Sequence, residues 1–466
     1  MKRRNFLQLL AATGMTAQMP LITSRAHAAT APEKYLVLVN AGGGWDPTSI
    51  CDPKGLNKSY TANSTRHEGS TNSVDLDSNK RIGDIQWSAI PEFVSDDIAV
   101  RNRIEQQFDQ FFQTYGDRMT VINGIDNGTN NHDTGNRVTW SGHEEMGYPS
   151  ITALYAAAVS PTLPMAFISN GGYDFTDSLV ARARASSAGF INEISDPNLW
   201  FIESSDQFRR GYHYRDRDGK VDIYQRIQQA QQSRIQRQQN SEPLPQRRAQ
   251  LSQLFGIRNE ESNLGELTVQ LDNIQQYVTP EEGEQHPAWH WNPSRADSLK
   301  SQAQVVAAAF RSNLAASANL NFGGFDTHGD HDSRAYPRLG DLLEGVNYLC
   351  EVLKFSGIAD KTTIVIGSDF GRTPYYNSGN GKDHWPVTSV MVVHPDTVST
   401  GGKVFGASTT EFRSQAVNRQ TGLPDSSGEV LEPKHVNIAL RQLMGIDSSG
   451  VVGNYPLNFT PFNIFS

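Results

Sequence analysis

Four places in the chain put aspartate or histidine next to a stretch that reads as a buried strand. Asp46 follows a glycine run after the apolar stretch Tyr35–Asn40. In Asp326–Asp332, six of the seven residues are glycine, acidic or histidine. The other two stretches are Gly367–Pro374 (GSDFGRTP) and Gly381–Pro386 (GKDHWP). Loops at strand ends are where α/β sheets place their chemistry, so we expect these four places to meet at the carboxyl-terminal edge of one sheet.

Carboxylate oxygens and imidazole nitrogens are ligands of divalent metal ions. Clustered carboxylates repel one another unless a cation compensates them. A single histidine of this kind is usually a hydrogen-bonded structural residue, but the four places together favour a divalent-metal site with one or two ions. The residue types do not distinguish zinc, manganese, magnesium and calcium. The predicted ligands are Asp46, Asp326, His328, Asp369 and His384.

The elements that position these residues alternate between strand and helix. Apolar runs predict strands at Tyr35–Asn40, Met119–Asn123, Pro164–Ser169, Ala318–Phe322, Thr362–Gly367 and Ser389–Val393. Apolar residues at helical spacing predict helices at 104–115, 151–159, 294–316, 336–355 and 434–443. This alternation predicts an α/β fold with a mostly parallel sheet and helices on both faces.

The segment 206–293 differs in composition from the rest of the chain. It is rich in glutamine and arginine, and its sparse apolar residues recur at helical spacing. Acidic residues return soon after the arginines, which indicates a solvated helical surface rather than a phosphate-binding patch. We therefore predict a polar helical insertion, or cap, over the α/β core.

The first residues predict export. Lys2, Arg3 and Arg4 precede a modest apolar stretch, and Ala26–Ala28 is a small-residue cleavage site. A paired arginine in this context is typical of a twin-arginine signal peptide. An ordinary amphipathic helix would leave the cleavage site unexplained. We predict a signal peptide at residues 1–28, an exported domain at 29–466, and a periplasmic or secreted protein.

Composition excludes several classes of protein. The net charge is −9, and the predicted signal peptide contains four basic and no acidic residues. The rest of the chain therefore carries a net charge of −13. Such a negative charge argues against nucleic-acid binding. Beyond the signal no apolar stretch reaches the roughly 18 residues of a membrane span. Cys51 and Cys350 are the only cysteines, which excludes a thiolate zinc cluster and allows at most one disulfide.

The four motifs together resemble the bacterial domain-of-unknown-function family numbered 1501. They read GGGWD up to Asp46, GGFDTH up to His328, GSDFGRTP from Gly367 and DHW from Asp383. The resemblance spans about Glu33 to Gly445. It implies twin-arginine export and an alkaline phosphatase-like fold, shared with sulfatases and cofactor-independent phosphoglycerate mutases.

The resemblance also implies roles for the predicted ligands. In that superfamily a strand-end Asp, a nucleophilic Ser or Thr, an Asp and His pair, a later Asp beside His and a final His hold two metals. The matching positions are Asp46 for the first Asp, Asp326 with His328 or His331 for the pair, Asp369 for the later Asp and His384 for the final His. His331 is the least secure, because Asp326 and His328 already supply two ligands from one loop.

Two features of the sequence depart from that pattern. Phe370 stands where the superfamily has a histidine beside the later Asp, and the nucleophile has no clear counterpart. The loop Asn130–Arg137 resembles in outline the nucleophile loop of the mutase branch, so Thr134 is the expected nucleophile. His132 is then a candidate ligand in place of the missing histidine. The alternative is a helix start capped by Asp133 and Thr134. Weaker candidate nucleophiles are Thr48 and Ser49.

Arg372 completes the predicted site. Its guanidinium suits the oxygens of a phosphate or sulfate ester, although a simple pairing with Asp383 explains it equally well. We therefore predict an exported metal-dependent hydrolase of a phosphate or sulfate ester, acting on a small-molecule or glycan substrate. The alternative is a non-catalytic periplasmic protein of the same fold, with a structural metal, that binds a ligand or an envelope protein.

Overall fold

The structure is a computed structural model that describes residues 32–54, 80–184, 264–279 and 297–466, with a few helical residues between 233 and 241. The predicted signal peptide, 1–28, lies outside the described residues. So does most of the predicted insertion, 206–293. Within the described part of that insertion, one helix spans Leu264–Val278, which agrees with the helical spacing of its apolar residues.

Eight of the described strands form one large sheet. The described strands are β1 Tyr35–Asn40, β2 Lys80–Ile82, β3 Ile85–Trp87, β4 Met119–Asp126, β5 Phe167–Ser169, β6 Arg182–Ala183, β7 Ser317–Asn321, β8 Thr362–Gly367, β9 Gly371–Arg372, β10 His384–Trp385, β11 Val387–Val393 and β12 Lys403–Phe405. The order in the sheet is β12, β4, β11, β8, β1, β7, β5 and β6. β1 pairs in parallel with β7 and β8, whereas β11 runs antiparallel between β4 and β8. The predicted mostly parallel sheet is confirmed.

Helices cover both faces of this sheet. They are α1 Ile98–Tyr115, α2 His132–Ser141, α3 Ile151–Val159, α4 Leu264–Val278, α5 Asp297–Arg311, α6 His331–Phe355, α7 Pro433–Leu443 and α8 Gly450–Gly453. Along β1, Val37 and Val39 belong to the core formed with α1, α5 and α6. Leu36 and Leu38 point to the opposite face and belong to the core formed with α3 and α7. Full burial of each such side chain contributes about 1.5–3 kcal/mol, so both faces need their helices.

One edge of the sheet gathers the loops that carry the predicted site. The parallel strands β1, β4, β7 and β8 all end there. β11 begins at the same edge because it is antiparallel, with its first residue Val387 opposite Asp126 and its last residue Val393 opposite Met119. The segment just before β11 therefore meets the loops that follow the parallel strands.

Two further observations concern the two cysteines and the question of a membrane span. Cys51 and Cys350 are both buried free thiols. Across the described ranges, no helix combines the length and the apolar character needed to cross a bilayer.

Candidate metal centre

Three histidines and one aspartate meet at this edge and form what we call the histidine cluster: His132, Asp326, His328 and His384. Asp326 Oδ1 lies 3.0 Å from His328 Nε2 and 3.1 Å from His384 Nε2. Asp326 Oδ2 lies 3.7 Å from His132 Nε2. The Nε2 atoms of His328 and His384 are 3.0 Å apart. Three of the members, His132, Asp326 and His384, offer ligand atoms within 4.8 Å of one another, close enough to share one ion.

Each member comes from a different loop or from a different part of one loop. Asp326 and His328 follow β7, and His132 is the first residue of α2 after β4. His384 lies in β10, which pairs with β9 so that His384 is opposite Arg372. α2 packs closely on the loop after β8, because a Cβ at Gly135 would lie 2.5 Å from the carbonyl oxygen of Asp369. This contact brings His132 into the cluster.

The second nitrogen of every histidine in the cluster faces a hydrogen-bond acceptor. His384 Nδ1 lies 2.7 Å from the carbonyl oxygen of Asn130, and His328 Nδ1 lies 2.7 Å from Asp383 Oδ1. His132 Nδ1 contacts Asp369 Oδ2. Carbonyl and ionised carboxylate oxygens only accept hydrogen bonds, so in the neutral histidines each Nδ1 carries the proton. The three Nε2 lone pairs are then directed at Asp326.

Three lone pairs beside a carboxylate form a repulsive arrangement unless a cation lies among them. Metal-binding histidines commonly donate their other ring N–H to a carboxylate or carbonyl, which fixes the tautomer. The donor atoms and their hydrogen-bond partners therefore fit a divalent cation at this position.

Two pKa values in the cluster are displaced by its contacts. Partial burial raises the pKa of Asp326, but the hydrogen bond and positive charge of Arg372 outweigh it, so that this pKa is lowered to about 2. The hydrogen bond to Asp369 raises the pKa of His132 above the usual histidine value. Asp326 is therefore ionised throughout the ordinary pH range, whereas His132 takes up a proton more readily than an isolated histidine.

We expect metal affinity to fall as the solution becomes acidic. Binding requires neutral imidazoles, and the raised pKa of His132 means that protons compete with the metal at a higher pH than for an ordinary histidine. Asp326 contributes nothing to this change because it stays ionised. Titrations of the metal-free protein with zinc between about pH 8 and about pH 5 measure the effect. An affinity that is constant over that range would contradict it.

Asp369, a predicted ligand, contacts His132 from the buried side of the histidine cluster and orients its ring. Its side chain is buried and accepts hydrogen bonds from the backbone nitrogen of Gly44 at 2.6 Å and from Ser368 Oγ at 2.7 Å. Its other oxygen contacts His132 Nδ1. Gly44 has φ +74°, and a Cβ there would lie 2.4 Å from the Phe370 ring, so this close approach requires glycine.

Arg372, the predicted ester-binding residue, is bonded within the protein. Nη2 donates to Asp326 Oδ1 at 2.7 Å and contacts the carbonyl oxygen of Gly43. Nε donates to the carbonyl oxygen of Gly44 at 2.7 Å, and Nη1 to that of Lys382 at 3.0 Å. The side chain is fully buried. In this arrangement Arg372 holds Asp326 in place, and it pairs with Asp326 rather than with Asp383.

Asp46 is not part of the histidine cluster. Its buried carboxylate accepts hydrogen bonds from Lys382 Nζ at 2.6 Å and from His331 Nε2 at 3.1 Å. Burial alone would raise the pKa of Asp46, but the Lys382 ammonium and the bond from His331 hold it well below its usual range. Of the two histidines that the sequence left open, His328 lies in the cluster and His331 lies with Asp46.

The candidate nucleophiles also lie apart from the cluster's bonded network. The side chains of Thr48 and Ser49 are buried and donate to Asp46 at 2.7 and 3.1 Å. Thr134 lies in the first turn of α2, with Oγ1 3.5 Å from Arg137 Nη2. The cap of α2 is Asn131, whose side chain accepts a hydrogen bond from the backbone nitrogen of Thr134, rather than Asp133 or Thr134.

Sequence reasoning missed three parts of this arrangement. Asp383 supports His328, the carbonyl of Asn130 supports His384, and Lys382 pairs with Asp46. Asp383 and Lys382 were visible in the sequence beside His384. A carboxylate next to a predicted histidine ligand is a signal for such a supporting residue.

Replacing Asp383 with asparagine should weaken metal binding by about 10–100-fold, because residues that support a ligand histidine typically contribute this much. The side-chain amide no longer favours the tautomer that directs the His328 Nε2 lone pair at Asp326. Competition with a chromophoric chelator measures the affinity. Asp396→Asn, at an exposed aspartate, is the matched control. Equal affinities for the two variants would remove Asp383 from this role.

Comparisons with known proteins add the following similarities. A structure of Ps i-CgsB in complex with k-i-k-neocarrahexaose is similar at 12% identity and a TM-score of 0.38, over 93% of this chain and 75% of that one. The lipoteichoic acid synthase LtaP from Listeria monocytogenes is similar at 9% identity and a TM-score of 0.33, over 96% of this chain and 79% of that one. A magnesium-bound variant of TAB5 alkaline phosphatase is similar at 9% identity and a TM-score of 0.33, over 90% of this chain and 99% of that one.

Among curated proteins, none matches the sequence significantly. One family model does match, over residues 33–441, and this range includes every residue of the histidine cluster. The resemblance in the four motifs is thereby confirmed, and the chain belongs to the family described as "Protein of unknown function (DUF1501)".

Proposed function

We propose that this protein is a metal-dependent hydrolase of a phosphate or sulfate ester, with one divalent cation held by His132, Asp326, His328 and His384. One observation carries the proposal. The Nε2 atoms of His328 and His384 approach the same oxygen of Asp326 within 3.0 and 3.1 Å, while the Nδ1 atom of each faces an acceptor.

The ligand set favours a transition-metal ion. Imidazole nitrogen suits zinc, iron, copper and nickel, whereas magnesium and calcium prefer sites made of oxygen ligands. Three histidines with one carboxylate therefore support zinc or a similar ion over magnesium or calcium. When bound, such an ion supplies positive charge that polarises an ester oxygen.

The exposure of the cluster supports a catalytic rather than a closed structural site. The side chains of Asp326 and His328 are each 47% exposed, and that of His132 is 37% exposed. Structural zinc sites are closed to solvent, whereas a catalytic ion has a position for water or substrate, either as the fourth ligand or through expansion to five ligands. Solvent and a small ligand can reach this cluster.

The substrate class follows from charge and from the resemblance. An exposed cation attracts anionic oxygens, as a phosphate or sulfate ester provides, on a small molecule or a glycan. The side chains of Thr48 and Ser49 are buried and bonded to Asp46, which leaves Thr134 and water as the candidate nucleophiles. Within the protein, Asp369 and Asp383 hold two of the histidines in orientation, and Arg372 holds Asp326.

The hydrogen bonds that the Thr48 and Ser49 hydroxyl groups donate to Asp46 also favour a second candidate function. A non-catalytic protein of this family would hold the same cation and use it to bind an anionic ligand or an envelope partner, without a nucleophile. Metal loading alone does not distinguish the two functions, but turnover does.

The test combines metal analysis with an ester screen. The purified mature protein is loaded with zinc, manganese or magnesium, freed of excess metal, and assayed against aryl phosphate and aryl sulfate esters. We expect bound zinc and zinc-dependent turnover, both lost in His328→Ala and retained in His143→Ala, which alters a histidine outside the cluster. Bound metal without turnover on any ester would support the binding protein, and absence of bound metal would remove both candidates.

We also propose that the protein reaches the periplasm or the exterior through the twin-arginine route, on the basis of its first 28 residues. Changing both Arg3 and Arg4 to lysine should leave the precursor in the cytoplasm, because the route recognises the arginine pair. Cell fractionation with immunoblotting measures the distribution. Arg25→Lys, outside the pair, is the control and should be exported. Mature periplasmic protein from the double variant would show that the route is misassigned.

A further inference from the structure

The Asp46 carboxylate, which the sequence suggests as a metal ligand, already has a full set of donors. Oδ1 accepts hydrogen bonds from the Thr48 backbone nitrogen at 3.0 Å and from Thr48 Oγ1 at 2.7 Å. Oδ2 accepts from Lys382 Nζ at 2.6 Å, His331 Nε2 at 3.1 Å and Ser49 Oγ at 3.1 Å. A carboxylate offers about four lone-pair positions, so five donors leave no place for a metal ion.

Lys382 is fixed in this position by its own backbone. Its nitrogen donates to the carbonyl oxygen of Thr327 at 3.1 Å, and its carbonyl accepts from Arg372 Nη1 at 3.0 Å. The preceding Gly381 lies so close to His328 that a Cβ would be 1.9 Å from the His328 carbonyl oxygen. The side chains of Lys382 and Asp46 have no solvent exposure. The loops that present the histidine cluster therefore also bury the ammonium group against Asp46.

The Asp46–Lys382 pair and the histidine cluster differ in net charge. Asp46 and Lys382 form an ion pair without net charge. In the histidine cluster and its supports, three carboxylates, those of Asp326, Asp369 and Asp383, stand against one cation among the described residues, Arg372, which bonds to Asp326. With neutral histidines this leaves two negative charges, which one divalent cation balances.

An apolar ring limits the cluster on the side of Asp369. Phe370 is buried, and its ring centroid lies 4.7 Å from that of His132 and 4.5 Å from that of His384. The residue next to Asp369 thus adds packing rather than a ligand. Asp369 itself is engaged by His132 and by backbone nitrogens.

We propose that Lys382 is an internal cation that occupies the place beside Asp46, so that the protein binds one divalent ion per chain and not two. This inference rests on the proposed metal site of the histidine cluster and sets its stoichiometry. Asp46 and Lys382 then form a fixed charge pair that supports the loops, and neither contributes to holding the metal.

The test counts metal in three proteins. Wild type, His384→Ala and the double variant Asp46→Asn with Lys382→Met are stripped with a chelator, saturated with zinc, freed of excess metal and analysed by elemental mass spectrometry. The double variant removes both charges of the pair together, so neither side chain is left as an unpaired buried ion. Circular dichroism and gel filtration establish that each protein is folded.

We expect one zinc per chain in the wild type, one in the double variant with an affinity within about threefold, and loss of that zinc in His384→Ala. Two zinc ions in the wild type, one of them lost in the double variant, would overturn this inference and leave the proposed metal site intact. No zinc in the wild type would overturn the proposed site and this inference together. If the double variant does not fold, a count of two in the wild type still decides against the inference.

Discussion

His384→Ala is expected to lower the affinity for zinc by about 100-fold or more. Zinc sites with four protein ligands bind with about 10–16 kcal/mol in total, so one ligand accounts for about 3 kcal/mol, which corresponds to about two powers of ten in affinity. His384 is held by the carbonyl of Asn130 on one side and faces Asp326 and His328 on the other. Its removal takes away a donor that lies at the centre of the cluster.

The fold should survive this substitution. His384 belongs to a two-residue strand at the sheet edge and its side chain is 21% exposed, whereas the core clusters on both faces of the sheet consist of other residues. Bound zinc and thermal unfolding are measured on the same preparation, in the presence of a chelator for the unfolding experiment. We expect much less bound zinc and little change in the melting temperature.

The matched control is His143→Ala. The His143 ring stacks on Tyr148 at a centroid distance of 3.8 Å, away from the cluster, so its loss should leave zinc binding unchanged. A His384→Ala protein with unchanged zinc affinity and a lowered melting temperature would identify His384 as a structural residue instead. Ester hydrolysis that persists at the wild-type level in His384→Ala after excess zinc has been removed would also contradict the proposed role.

The strands of the fold were predictable wherever burial on both faces forces a continuous apolar run. β1 and β8 begin and end at the predicted residues, because each contains an uninterrupted apolar stretch, Leu36–Val39 in β1 and Ile364–Ile366 in β8. Helix α6 begins at His331, five residues before the predicted Tyr336. His331 and Asp332 are buried through bonds to Asp46 and Tyr376, so they carry no apolar periodicity that would reveal a helix.

The sequence also indicated which loops form the site, because strand ends in a parallel sheet share one edge. It did not indicate where each side chain points. Asp46 caps the short helix Pro47–Ser49 through the Thr48 nitrogen, and this turns its carboxylate toward Lys382. His328 and His331 are three residues apart, but α6 starts at His331 and directs it to Asp46, while His328 remains in the loop. Such directions depend on tertiary contacts between loops distant in sequence.

Lys382→Met is expected to destabilise the protein by about 3–5 kcal/mol, because removal of one partner leaves a buried charge uncompensated. The pair is fully buried, and Nζ and Asp46 Oδ2 are 2.6 Å apart. Met keeps most of the length of the side chain but lacks the ammonium group, which lies 5.1 Å from the centre of the Tyr376 ring. Denaturant unfolding in the presence of a chelator gives the loss of stability without a contribution from bound metal.

The double variant Asp46→Asn with Lys382→Met shows whether the loss of stability arises from the charge pair. Replacing both members of a buried ion pair by neutral groups is often neutral or stabilising, so most of the lost stability should return. Lys361→Met, at an exposed lysine, should change the free energy of unfolding by no more than about 0.5 kcal/mol. If the double variant is as unstable as Lys382→Met alone, the two residues do not act as a pair, and the loss arises from the lysine's packing instead of from its charge.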